Sequence, residues 1–354
     1  MKRVAYFLIA SFGVLSMLRG AAGQEQTPAP EATSADLVKV DGATLRQSIS
    51  RAIPLLERAS AGSAEQRQCF TCHSQALPVF VFAKAQALDF EVDTKNFKRQ
   101  VEHAYEHLKR GIDGYREGKQ QGGGVDTSGY ALWTLEDGAK QPDEVTDAVV
   151  EWMLGSQSKK GFWSPTSERP PTQGSRFTST YLAIRALSVF GRESHQERID
   201  KAKRLTSQWV REIEPLSLED RVFQLLMSHY VAIPNDSVAL MSQGLVSKQR
   251  DDGGWAQLDD MQSDAYATAS ALYALEQTGL AMSSDAWQRG IRFLIDHQRE
   301  DGSWHVATRS KPIQKYFETG FPHEKDQFIS TYATGWATLC LLKSLSNDDA
   351  NSIK

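Results

Sequence analysis

Three stretches of the chain share one spacing: a Gln, a Gly four residues on, and a Trp two residues after that. They are Gln157, Gly161 and Trp163; Gln249, Gly253 and Trp255; and Gln298, Gly302 and Trp304. Each residue type suits a corner at the end of a helix. Glycine takes the positive φ that stops a helix at no steric cost, the indole has a large apolar face to bury, and the Gln amide can satisfy free backbone groups. The repeated unit is therefore a structural corner rather than a catalytic site, and a chain that repeats one corner is built as an array of like units.

The fullest copy, Arg289-Gly290-x-x-Phe293-Leu294-x-x-x-Gln298-x-x-x-Gly302-x-Trp304, resembles the QW repeat of the terpenoid cyclases, such as squalene-hopene cyclase, and of the protein prenyltransferase beta subunits. With weaker copies included, the resemblance covers roughly residues 45–345. It implies an all-α fold, an α/α toroid of about six helix pairs with the inner helices around a central cavity. Six blocks can be drawn, beginning near Leu45, Phe97, Val145, Ile199, Val238 and Trp287, each roughly forty to sixty residues long, as helix-pair arrays are. In the fifth block, Ser263 to Leu275 is almost wholly small or apolar, the composition of a helix buried on all sides. The second block keeps Gly122 to Gly124 but has Val125 in place of Trp, and the fourth turns at Glu214-Pro215. Long insertions, Ser164 to Phe177 and His305 to Phe328, are either binding loops and lids or mobile decoration.

The first residues read as an export signal. Lys2 and Arg3 precede an apolar run from Val4 to Leu18, and Ala21-Ala22-Gly23 supplies small residues for cleavage. Expected boundaries are a signal peptide at 1–23, a flexible linker at 24–40 and the toroid at 41–347, which places the mature protein in the periplasm or otherwise outside the cytoplasm, with no stable membrane span after cleavage. Formal charge is −4 for the whole chain and falls to about −7 once Lys2, Arg3 and Arg19 leave with the signal, which disfavours nucleic acid as a partner.

What the resemblance implies for chemistry meets gaps. Cyclases that protonate a terpene carry Asp-x-Asp-Asp-Thr-Ala on an inner helix; the matching run here is Asp264-Ala-Tyr266-Ala267-Thr268-Ala269, with Tyr266 where the acid belongs. Prenyltransferases take a zinc-binding His at the position of Ala267, and their Asp and Cys ligands would fall around Arg176 to Tyr181, where neither occurs. Both sets appear lost, and whether the chain is an enzyme stays open. Asp264 and Tyr266 are the weak catalytic candidates, with Trp255 nearby. An N-cap role for Asp264 is favoured, and Asp259-Asp260 read as solvated. No convincing pair of cavity carboxylates stands out.

Cys69-Phe-Thr-Cys72-His73 is the attachment signature of c-type haem, in which two thiols bond the haem and the adjacent His ligates iron. A redox pair and a metal site completed by distant His are the competing readings, and both lack the flanking ligands or βαβ context they need. The motif precedes an apolar inner helix, so His73 falls near the level of Asp264. Distal iron ligands are open: His103 or His107, spaced i, i+4 on the next helix, though a surface pair is the simpler expectation; Met153, Met227, Met241, Met261 or Met282; or an open coordination site. Cys340 reads as a buried core thiol.

The sequence thus predicts an exported c-type haem protein on a squalene-cyclase-like scaffold, serving electron transfer or redox or ligand sensing, with a redox partner protein. The alternative is a cyclase-like or prenyltransferase-like enzyme acting on an apolar small molecule in the toroid; a non-catalytic binding module is a third class.

Overall fold

Helical structure begins where the sequence supplies a cap. Asp41 accepts the Thr44 amide at 2.9 Å and opens α1, Gly42–Gln66. The computed structural model describes residues 39–312 and 315–352, which fall within one compact unit, Leu37–Lys354. The expected signal peptide and nearly all of the expected linker lie outside the described residues; Val40, at the end of that linker, is buried.

Among the described residues the chain is all-helical, with only two isolated bridges, Arg169 with Gln173 and Trp255 with Asp264. Helices alternate between two layers. The outer layer is α1, α3 (Thr94–Arg110), α6 (Glu144–Ser156), α8 (Gln196–Glu212), α10 (Asn235–Val246) and α12 (Asp285–Asp296), with a short α4 (Ile112–Arg116) added after α3. The inner layer is α2 (Leu77–Gln86), α5 (Gly124–Asp137), α7 (Arg176–Phe190), α9 (Leu218–Leu226), α11 (Ala265–Gln277) and α13 (Gln327–Ser352). Each inner helix packs on the next, and α13 packs back on α2, so the inner ring is closed. The division follows composition: α11 buries nearly every residue from Ala265 to Leu275, whereas α12 buries Trp287, Gly290, Ile291, Phe293 and Leu294 as one stripe, the pattern of a helix with one face to solvent. No helix of the described residues is long and apolar enough to cross a membrane.

The Gln-Gly-Trp corners are the joints of this array. Each indole nitrogen donates to a carbonyl of its own outer helix: Trp163 to Met153 at 2.9 Å, Trp255 to Leu245 at 2.8 Å and Trp304 to Leu294 at 2.7 Å. Its backbone amide donates to a threonine on the following inner helix, Thr180, Thr268 or Thr334. Meanwhile the Gln amide reaches the next outer helix: Gln157 to the Ala202 carbonyl, Gln249 to that of Ala286, and Gln298 to that of Ser48. The last of these joins the sixth block to the first.

Gly161, Gly253 and Gly302 take φ of 94°, 83° and 92°. Position 302 carries a second constraint, because a Cβ there would lie 2.4 Å from the Arg51 carbonyl oxygen of α1. Gly279 has a similar φ of 95° but open space around it. Gly302→Ala is therefore expected to destabilise the protein by roughly 2 kcal/mol or more and Gly279→Ala by distinctly less, measured by chemical denaturation. Equal losses would show that the seam between α12 and α1 is not tightly packed.

Candidate active site at the mouth of the toroid

The inner helices start at one end of the ring, and the side chains on their first turns meet there. Glu219, on the first turn of α9, is 4% exposed and accepts hydrogen bonds from two neighbours. Thr178 of α7 donates to Oε1 at 2.9 Å, and Tyr266 of α11 donates to Oε2 at 2.7 Å. Burial outweighs these bonds and raises the Glu219 carboxyl to about 8, so it holds a proton at neutral pH. Next around the ring, Asp126 on α5 is 1% exposed; Ser179 of α7 donates to it at 2.5 Å, and burial raises it to about 7. Tyr130 and Tyr332 lie between these groups with ring centroids 6.1 Å apart, and Tyr266 meets Tyr332 edge-on at 6.2 Å. Deeper along the axis, Trp133 stacks on Phe80 at 4.3 Å and takes Arg185 over its face at 4.1 Å.

The two insertions close over this end and are not loose decoration. Ser310 of the second donates to the Pro170 carbonyl of the first at 2.5 Å. Within the second, Thr308 N and His305 bond the Asp326 carboxylate, and Thr319 N bonds Gln327 at the start of α13. Arg309 donates to Gln257, whose amide in turn donates to Asp264.

Asp264 caps α11, accepting the Ala267 amide at 2.9 Å, as its sequence position suggests, while Asp259 is exposed and paired with Lys248. Tyr266 does reach the site, as a donor to Glu219. Trp255 is wholly buried in its corner and serves the fold. Glu219 and Asp126 are buried acids that the sequence did not single out; the Ser217-x-x-Asp220 capping box around Glu219 was the available signal, but it marks a helix start and not a buried acid.

Across the ring from α9, a π-helical turn, Cys72–Ala76, leads into α2. Cys69 is exposed and Cys72 buried, both free thiols; the Cys72 thiol points to Thr127 at 4.0 Å, and burial pushes it up to about 12. His73 is 9% exposed and packs on Phe328 at 4.6 Å and Tyr332 at 6.0 Å. Its Nε2 is buried without a hydrogen-bond partner, and burial lowers it to about 3. His103 and His107 are not the expected surface pair: His107 is 6% exposed and lies against Phe70, and both Nε2 atoms are buried and unpartnered. Cys340 is buried, donating to the Ala269 carbonyl. Met153 and Met227 are core residues. A hollow of about 580 Å3 between α4 and α6, lined by Tyr115, Trp152, Arg116 and Glu151 among others, is solvent-open and lies away from the mouth.

The sequence profile of the squalene-hopene cyclase C-terminal domain matches residues 220–347; the match starts after Glu219 and leaves Cys69, Cys72 and His73 outside it. No curated protein sequence matches the chain. A type II terpene cyclase from Scytonema, solved with geranylgeranyl dihydroxybenzoate, is similar in structure, with a TM-score of 0.56 and 15% identity over 86% of this chain and 98% of its own. ent-Copalyl diphosphate synthase from Streptomyces platensis gives 0.50 at 16% identity over 78% of this chain and 51% of its own. A possible member of the GH105 family from Salmonella enterica gives 0.53 at 14% identity, over 92% and 99%. The toroid is thus a terpenoid-cyclase-like scaffold, and identities this low speak for the fold alone.

Glu219 has a folded pKa raised above its ordinary 4.5. Below pH 4.5 both folded and unfolded chains hold this proton; between 4.5 and about 8 only the folded chain does, so this group's contribution to stability falls as pH rises through that window and levels off above it. Glu219→Gln should therefore gain thermal stability relative to wild type as pH is raised from 5 to 8. An unchanged difference across that range would mean that Glu219 is ionised in the fold.

Proposed function

We propose that the chain is an enzyme that delivers a proton to an apolar, isoprenoid-class substrate at the lidded mouth of the toroid, with Glu219 as the acid. The observation that carries this is a buried carboxyl that keeps its proton at neutral pH, set between Thr178 and Tyr266 in an aromatic wall. A carboxyl with so high a pKa is a weak acid. It suits proton transfer to an oxygen, such as an epoxide or carbonyl, rather than to an unactivated double bond.

Positioning and charge stabilisation both have residues to serve them. Thr178 donates to Oε1 and Tyr266 to Oε2 of Glu219, which fixes the orientation of the carboxyl. The faces of Tyr130, Tyr332 and, deeper, Trp133 stabilise positive charge that develops on a hydrocarbon, as aromatic rings do for cations. The two insertions, joined between Ser310 and Pro170, exclude water from the site and must part to admit a substrate. Support for the isoprenoid class comes from the cyclase profile and from the prenylated ligand of the Scytonema cyclase.

The test is turnover of linear isoprenoid epoxides and carbonyl compounds, with products identified by mass spectrometry. Glu219→Gln should lower the rate about 10²- to 10⁴-fold, whereas Asp264→Asn, which keeps a capping oxygen, should stay within a few-fold. Wild-type activity should fall as pH rises through about 8, as Glu219 loses its proton. Full activity in Glu219→Gln, or no turnover by wild type of any compound in the set, would sink the proposal.

A further inference from the structure

We infer that Cys69, Cys72 and His73 form a covalent haem site at the mouth, on the side of the ring opposite Glu219. The motif alone is five residues long, and the fold adds two observations to it. First, His73 is more than nine-tenths buried and its Nε2 has no partner. A buried nitrogen left unpaired carries its desolvation cost uncompensated, and a bond to iron would satisfy it. Second, Arg169 of the first insertion lies close enough to bear electrostatically on both Cys72 and His73, and its Nε is also buried without a partner. An arginine in that state is suited to a haem propionate.

Attachment is an addition reaction. Each thiol adds S–H across one vinyl group of iron protoporphyrin IX: a C–S bond forms, the S–H bond breaks, and its hydrogen ends on the vinyl group, with no net oxidation. Cys69 is exposed for this step. Cys72 is buried against Thr127 of α5 and His73 is covered by Phe328 and Tyr332 of α13, so the reaction must precede final closure of the mouth. The site does not depend on the acid role of Glu219, and Glu219→Gln should leave it intact.

The experiment expresses the full chain with its own leader in a bacterium that carries the cytochrome c maturation machinery, beside a known c-type cytochrome. Wild type should hold one haem per chain that survives denaturing electrophoresis, with the pyridine haemochrome spectrum of a haem bearing two thioethers. Cys69→Ala, at an exposed thiol, should fold normally and give a spectrum shifted to that of a single thioether. Cys69→Ala/Cys72→Ala, checked for folding by circular dichroism, should hold no covalent haem. Arg169→Gln should keep the haem and lower its midpoint potential; an unchanged potential would overturn the propionate contact. Absence of covalent haem from wild type while the control cytochrome is matured, or persistent stain in the double variant, would overturn the site.

Discussion

The toroid depends on how each corner grips the helix of the next block. Inner helices such as α7 and α11, rich in Ala, Ser, Thr and Leu, offer their neighbours a surface of small and apolar side chains with few directional groups. Directionality comes instead from the Gln amides, which bond backbone carbonyls of the adjacent outer helix, and from glycines that let two backbones approach where a Cβ would collide. Three such joints, at Gln157, Gln249 and Gln298, hold the seams between α6 and α8, α10 and α12, and α12 and α1. The Trp of each corner ties its own outer helix to an inner-helix threonine, so the two rings are fixed to one another at the same points.

The rigid ring allows costly groups to stay buried at its mouth. A first-turn position near a helix N-terminus favours a negative charge by at most about 1–2 kcal/mol, yet Glu219 and Asp126 are both shifted toward the neutral form. Desolvation therefore decides their state, outweighing the donated hydrogen bonds of Thr178, Ser179 and Tyr266, which by themselves favour the ionised form. His73 presents the same physics with the opposite proton balance: burial keeps its imidazole neutral, with a lone pair available. One mouth thus carries carboxyls held toward their neutral form on one side and an unprotonated imidazole on the other, separated by the rings of Tyr130 and Tyr332.

The scaffold was legible in the sequence because its determinants are local. A positive-φ glycine, an indole to bury and an amide four residues before the glycine are all read at fixed spacing, and the N-cap role of Asp264 follows from the same kind of local pattern. Glu219 was not legible. Its partners stand 41 and 47 residues away, and the segment Leu218-Glu219-Asp220-Arg221 reads by itself as an ordinary charged first turn. His103 and His107 misled for a related reason: α3 is rich in Lys, Arg and Glu, so its polar residues suggested solvent, whereas that face receives Phe70 and the backbone around Cys69. Charge pattern reports which residues tolerate water and not which element will cover them.

Closure of the outer ring between Gln298 and Ser48 spans 250 residues of sequence, and α13, whose Phe328 and Tyr332 cover His73, is the last of the described helices. Contacts of such long range carry the largest loop entropy and form late when topology governs the order of folding. During synthesis the segment from Cys69 to Ala76 must therefore wait, uncovered, until α13 follows about 250 residues later. The mouth is assembled from segments made far apart in time, so its interior has a time window in which it is open to chemistry that the finished ring would exclude.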